Sequence, residues 1–267
     1  MDIIQSFLLG LLQGLTEFLP ISSSGHLALA REFMENELQT GIVFEVVVHF
    51  GTLGSIVVYY RKILVDIIKA AFRWITHPHK PADEDERMVT FILVSMIPAF
   101  IAGFTLKDQI ETIFTDPIIV GGMLILTGII LFCTKYIKQH ENELTLKNSL
   151  LIGFAQAFAM IPGISRSGST ISMGLYLGLK REEIANFSFL MVIPVIAGAT
   201  LLQVIELVET GIEGALLLNL IVAFFTAFIS GYFALKYLII ILKKKGFHYF
   251  AYYCWLLGGV TLVYFLV

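Results

Sequence analysis

Five ionisable residues interrupt otherwise apolar stretches of this chain: Glu17, His26, Glu45, His49 and Arg166. Charge in an apolar setting is costly, so such residues are candidates for chemistry before any other role. Glu17 follows Gln13 by four positions, which puts both side chains on one face of a helix. A carboxylate beside an amide oxygen suits a hard cation such as Mg²⁺ or Ca²⁺, which could bridge to phosphate. A buried acid paired with Arg166 or His26 fits the same spacing. The run Ser22-Ser23-Ser24-Gly25-His26 offers hydroxyls, a flexible turn and one imidazole. Hydroxyls and turn amides near a helix start bind anions, and an imidazole can take a proton or attack phosphorus. The plainer reading is a serine cap on a short helix, with His26 packed at an interface.

The sharpest signal is Pro162-Gly163-Ile164-Ser165-Arg166-Ser167-Gly168-Ser169-Thr170. Four hydroxyls and two glycines flank an arginine whose planar fork matches phosphate oxygens. An ion pair with Glu17 is the structural alternative. Glu45 and His49, four apart, could line the same pocket or pair with each other.

The elements that position these residues must be membrane helices. Of 267 residues, 57% are hydrophobic and 15% charged, and mean hydropathy is +0.83. That is too little charge to cover a water-soluble fold. A net charge of −3 offers no basic field for nucleic acid. Cys133 and Cys254 sit in apolar runs and read as packing residues. Asp2 is the first charge, so the opening apolar segment lacks the basic start of a cleavable signal and is expected to belong to the mature protein.

A helix needs about 20 apolar residues to span hydrocarbon. Six segments qualify: 42–60, 89–106, 117–137, 184–207, 216–242 and 247–267. Two others, Ile3 to Leu19 and Leu150 to Ile161, are too short or too broken. Each ends at a proline, passes through a Ser/Gly-rich turn and resumes as a short helix. That is the form of a re-entrant hairpin, tolerated only where protein or a wet cavity surrounds it. An ordinary surface loop is the bland alternative. The acidic, Pro-containing stretch His77 to Arg87, about 76–88, reads as a solvated connector.

An offset of 143 positions superposes the two hairpins: Gly10 on Gly153, Gln13 on Gln156, Ser22 on Ser165, Ser24 on Ser167 and Gly25 on Gly168. Phe44 falls on Phe187 at the same offset, and Ala99 to Gly103 resembles Ala227 to Gly231 further on. The chain is thus expected to be one all-α membrane domain made of two copies, about 1–140 and 144–267. Each copy holds a hairpin and three spans. Three crossings reverse the side, so the second copy is inverted. With the N-terminus outside, segments 61–88, 135–147, 179–183 and 236–246 are cytoplasmic. They hold all of the 18 Lys and Arg except Arg31, Lys107 and Arg166.

Gln13-xxx-Glu17, Pro20 to His26 and Pro162 to Thr170 resemble the signatures of the undecaprenyl-pyrophosphate phosphatases, also called the BacA family, and the resemblance covers the whole chain. The family's first acidic position is often Glu; here it is Gln13, which weakens a two-carboxylate metal site. The resemblance implies hydrolysis of undecaprenyl diphosphate at the outer face of the bacterial inner membrane. That recycles the carrier for peptidoglycan and lowers sensitivity to bacitracin. It implies a polyprenyl diphosphate lipid as partner, with bilayer lipids around it, and is compatible with a homodimer. The expected roles follow. Arg166, with Ser165, Ser167 and Thr170, clamps the diphosphate, and Ser22, Ser24, Gly163 and Gly168 complete the cradle. Ser23 or a water attacks phosphorus, His26 is base or nucleophile, and Glu17 holds the cation with Gln13 or orients His26. An inverted-repeat transporter or flippase of the same lipid is the alternative. The lipid phosphatases with a Pro-Ser-Gly-His motif are disfavoured, because no histidine follows Ser165-Arg166 before His248. A structural scaffold gives no reason to bury Glu17, His26 and Arg166.

Overall fold

A computed structural model describes residues 2–33, 42–77, 83–138, 141–210 and 217–267, and their side chains except at 33, 42, 107, 108, 111, 199 and 202–210. Several helices begin where the sequence supplies caps. Asp2 accepts from the Gln5 N–H and Gln5 returns the bond, a capping box that opens α1 (Ile3–Phe18). After α2 (Ser23–Phe33) and α3 (Ile42–Thr76), the same device at Asp83 and Glu86 opens α4 (Glu84–Thr105). The expected connector is therefore shorter than its charge suggested, because its last acids form a cap. Arg73 bridges back to Asp83 at 2.8 Å. The Glu86 N–H and that guanidinium hold the Asp83 carboxyl below its usual range, since both favour the charged form. The short α5 (Lys107–Phe114) leads to α6 (Pro117–Cys133), which Asp116 caps with proline in its first turn, where a missing N–H costs nothing.

Thr145 caps α7 (Leu146–Phe158), and Ser165 caps α8 (Arg166–Tyr176), each hydroxyl satisfying a free helix N–H. Then come α9 (Arg181–Thr210), α10 (Leu217–Lys243) and α11 (Phe250–Leu266). Among the described residues regular structure is helical, apart from one isolated bridge between Asn142 and Leu179. Five stretches are long and apolar enough to cross a membrane: Val43–Thr76, Glu84–Thr105, Pro117–Tyr136, Leu217–Lys243 and Phe247–Leu266. Large apolar side chains such as Phe72, Phe104 and Leu256 stand exposed on them, which suits hydrocarbon rather than water. The chain is a multi-pass membrane protein. The expected segment 184–207 lies in α9, which is not among the five and of which part lies outside the described side chains. The helix expected over 42–60 runs on to Thr76. Of the two cysteines, Cys254 is buried as a packing residue should be, but Cys133 at the end of α6 is exposed.

Close helix contacts frame the two broken segments. A Cβ on Gly10 would lie 2.6 Å from the Ala223 carbonyl oxygen, so α1 packs directly on the α10 backbone. A Cβ on Gly153 would lie 2.4 Å from the Ser95 carbonyl oxygen, so α7 packs in the same way on α4. Between them runs a core containing Phe18, Ile56, Leu131, Ile171, Phe189 and Leu238, all fully buried. Phe18 and Phe189 meet edge to face at 5.8 Å, an arrangement that aromatic rings favour.

The turns after α1 and α7 touch. A Cβ on Gly25 would come within 3.2 Å of the Gly163 Cα, the Ser22 hydroxyl donates to the Ile164 carbonyl at 3.4 Å, and that of Ser167 to the Leu19 carbonyl at 3.4 Å. Gly163 has φ +90°, and a Cβ there would sit 2.5 Å from the Val120 carbonyl oxygen. L side chains rarely adopt that conformation, whereas glycine does so freely. Gly163→Ala is expected to destabilise the fold by about 1–3 kcal/mol, read as a lowered thermal midpoint in detergent; an unchanged midpoint would show that the turn relaxes freely.

Candidate active site

Glu17 ends one helix and gathers residues from three. It is 7% exposed, and its two oxygens divide their partners. Oε1 accepts from Arg166 Nη2 at 2.6 Å. Oε2 accepts from the Ser23 hydroxyl at 2.6 Å and from Gln13 Nε2 at 3.0 Å, one turn back on α1. His49 Nε2 on α3 stands 4.0 Å from the same oxygen. Ser23 and Arg166 are the first residues of α2 and α8, and they occupy equivalent positions in the sequence repeat. Both short helices thus present their opening residue to a single carboxylate. Two further atoms are buried without a partner among the described residues: Arg166 Nη1 and Gln13 Oε1. A buried guanidinium nitrogen with nothing to donate to is costly, and an anion's oxygen would satisfy it.

The remaining hydroxyls hold the frame. Ser22 Oγ accepts from the Gly25 N–H at 3.2 Å, and Ser165 Oγ from the Gly168 N–H at 3.1 Å, so each serine caps its helix. Ser24 pairs with Ser22 at 3.2 Å and Ser167 with Ser165 at 3.3 Å. Thr170 donates to the Arg166 carbonyl at 2.8 Å and meets Ser188 at 2.6 Å. Ser22 itself has φ 68°, an uncommon conformation for a side-chain-bearing residue.

His26 turns elsewhere. Its Nδ1 lies 2.8 Å from the Ser22 carbonyl and its Nε2 2.8 Å from the Tyr253 hydroxyl on α11, and the two rings are parallel within 3°. A carbonyl only accepts, so Nδ1 carries the proton and the neutral ring takes the Tyr253 hydrogen bond at Nε2. The expectation that Glu17 orients His26 is thereby corrected: the carboxylate is engaged by Ser23, Arg166 and Gln13, and the imidazole is oriented by α11. Glu45 and His49 do not pair through their side chains either. Glu45 forms an ion pair with Arg31, while His49 Nδ1 bonds the Glu45 backbone carbonyl at 2.8 Å and so aims Nε2 toward Glu17.

The donor set does not fit a resident Mg²⁺ or Ca²⁺. Such ions collect several oxygens, with enough negative charge to offset their own. Here, among the described residues, the one carboxylate in the cluster is already paired with Arg166, and Gln13 turns its amide nitrogen to that carboxylate, leaving only its Oε1 open.

Three supporting residues escaped the sequence reading. Thr127 on α6 donates to the Gly163 carbonyl at 2.8 Å and accepts from the Ser165 N–H at 3.1 Å, clipping the second turn. Ser188 holds Thr170, and Tyr253 holds His26. A lone threonine, serine or tyrosine in an apolar helix carries no local sign of its distant partner.

Residues 6–260 match the model of the family described as bacitracin resistance protein BacA. The chain belongs to this family. Among curated BacA relatives, the undecaprenyl-diphosphatase of Bacteroides fragilis is 43% identical over 98% of both chains. That of Syntrophotalea carbinolica is 38% identical over 97% of this chain and 98% of its own. A relative of the same name, from Methanosphaera stadtmanae, is 36% identical over 98% of each. Both Ser/Gly-rich turns and the Glu17 cluster lie within the stretch matched to BacA.

Proposed function

We propose that this chain is an undecaprenyl-diphosphate phosphatase, an integral membrane hydrolase that releases inorganic phosphate and leaves undecaprenyl phosphate. The observation that carries this reading is the grip on Glu17 by Ser23 from one turn and Arg166 from the other. A hydroxyl 2.6 Å from a carboxylate is placed to lose its proton. A guanidinium with one nitrogen unpaired is placed to receive phosphate oxygens. The names of the BacA relatives supply the substrate.

On this reading Arg166 binds the diphosphate and offsets the charge that grows on the transferred group. Glu17 takes the Ser23 proton as the serine oxygen attacks the terminal phosphorus. The bond from that phosphorus to the bridging oxygen breaks, and undecaprenyl phosphate departs with the electron pair. The departing undecaprenyl phosphate takes the proton from Glu17, which is again a carboxylate. Glu17 then deprotonates a water that attacks the phosphoserine. The bond from phosphorus to the Ser23 oxygen breaks, the serine oxygen takes that proton back from Glu17, and inorganic phosphate leaves. Ser22, Ser24, Gly163, Ser165, Ser167, Gly168 and Thr170 hold the two turns in register around the head group. Because the donor set does not fit a resident divalent cation, no step passes through one.

The topology that suits this chemistry is six spans and two re-entrant hairpins in inverted repeats. Both turns then meet inside the bilayer, open outward to water and sideways to lipid, where a long isoprenoid can enter. The distribution of Lys and Arg supports both termini and the site facing the outer side of a bacterial inner membrane. Products of this reaction feed the carrier cycle of peptidoglycan synthesis, and removal of the diphosphate form opposes bacitracin.

The test is phosphate release by purified protein in detergent. One inorganic phosphate per undecaprenyl diphosphate is expected, with a labelled phosphoserine recoverable after acid quench and mapped to Ser23. Intact diphosphate, together with its movement across vesicles containing the protein, would point to a lipid transporter instead.

A further inference from the structure

We infer that Tyr253, on the last helix, is a positioning residue for this reaction. It acts through His26, and the inference rests on the phosphatase reading above. Ser22 has φ 68°, which is unfavourable for a residue with a side chain and must be held by its surroundings. The Ser22 carbonyl accepts twice from His26, from the backbone N–H at 3.1 Å and from ring Nδ1 at 2.8 Å. The second bond requires the ring proton to sit on Nδ1. Tyr253 secures it by donating its hydroxyl to Nε2 at 2.8 Å, with the ring planes parallel to within 3°. The bond made by one ring nitrogen thus fixes the tautomer at the other. A relay of two hydrogen bonds runs from α11 to the turn whose next residue is Ser23.

The consequence concerns geometry rather than proton transfer. Ser23 must lie in line with phosphorus while its proton points at Glu17, and small misplacements of a nucleophile are expensive. Fixing Ser22 fixes the start of α2 and with it the Ser23 hydroxyl. The relay also explains why His26 is 7% exposed while making no bond to the carboxylate that Ser23 and Arg166 share. Tyr253, by contrast, is exposed on its helix, so its hydroxyl can be removed without opening a hole in the core.

The experiment compares Tyr253→Phe, His26→Ala and the double variant with wild type, measuring kcat, KM and thermal midpoint. Tyr252→Phe serves as a neighbouring control. Tyr253→Phe is expected to lower kcat about tenfold, to change KM by less than about twofold and to leave the midpoint in place. In the His26→Ala background the same change is expected to have no further effect, since the relay is already cut. A packing role would move the midpoint and add to the His26 loss. Wild-type kcat in Tyr253→Phe, full activity in His26→Ala, or independent losses in the double variant would each overturn the inference. Absence of phosphate release from the wild-type protein would instead overturn the phosphatase reading.

Discussion

Glu17→Gln is expected to lower kcat for phosphate release by about 10³-fold with a much smaller change in KM. The substitution keeps the size of the side chain and an oxygen that can still accept from Arg166. It removes the one group placed to take the Ser23 proton, because the hydroxyl donates to Glu17 Oε2 at 2.6 Å while His26 is committed to Ser22 and Tyr253. An amide nitrogen in the place of Oε2 would also face two donors, Ser23 and Gln13, and can accept from neither, so both hydrogens must turn away. The serine would then be both harder to deprotonate and less well aimed. Steady-state phosphate release decides this, with the thermal midpoint recorded to show that the protein remains folded. If the variant kept a rate within about tenfold of wild type, Glu17 could not be the base. His49 Nε2, 4.0 Å from the same oxygen, would then become the first alternative.

Much of this arrangement is legible in the sequence because it is local or repeated. The four-residue spacing of Gln13 and Glu17 becomes a direct hydrogen bond on α1. Proline followed by serine and glycine ends α1 and α7 near the expected residues, and the offset of 143 positions reappears as two serine caps of nearly the same length at Gly25 and Gly168. The residues alone allow Arg166 to meet either phosphate or Glu17. The structure shows the ion pair, as neutralisation of two buried charges requires.

What escapes the sequence is long in range. Nothing near Tyr253 or Thr127 says that each bonds a distant turn, because a hydroxyl in an apolar helix looks the same whether it meets its own backbone or a remote one. His26 and Glu17 stand beside the same serines, which is what suggests their pairing. The competing term is tautomer and cap geometry: a ring whose Nδ1 must donate to a carbonyl one turn back points its other nitrogen away from the carboxylate. Helix ends depart from expectation where polar residues extend or cap a helix, as at Thr76 and Asp83, since apolar run length alone does not mark a terminus.

At the offset of 143 positions, two like turns carry unlike groups. Position for position, Ser23 corresponds to Arg166, Glu17 to Met160 and His26 to Ser169. Only the first copy keeps the acid. The guanidinium stands only at the second turn, 143 positions after the Ser23 hydroxyl. Gln156, which corresponds to Gln13, is buried with neither amide atom bonded among the described residues. Cap serines and close-packed glycines stand at both turns, because each turn needs them to fold. The carboxylate stands beside the first turn and the guanidinium at the second, so the Glu17–Arg166 pair draws on both turns.

That division makes Arg166 the residue whose loss separates stability from activity. Its side chain is 16% exposed and that of Glu17 6%, so the pair is largely out of water. Arg166→Met leaves the carboxylate without its counter-charge, and is expected to cost about 3–5 kcal/mol of stability together with a fall in kcat of about 10³-fold. Arg166→Lys keeps the charge but not the fork. It is expected to recover most of the stability while remaining about 10²-fold slower, because an ammonium cannot hold Glu17 and a phosphate oxygen in one plane. The deciding variant is the double replacement Glu17→Gln, Arg166→Met. With no buried charge left unpaired, its thermal midpoint is expected to return toward wild type while phosphate release stays undetectable. Thermal unfolding in detergent and phosphate release, measured on the same preparations, read the two quantities independently. A double variant as unstable as Arg166→Met alone would mean that the arginine supports the fold by packing, and the electrostatic account of this ion pair would fail with it.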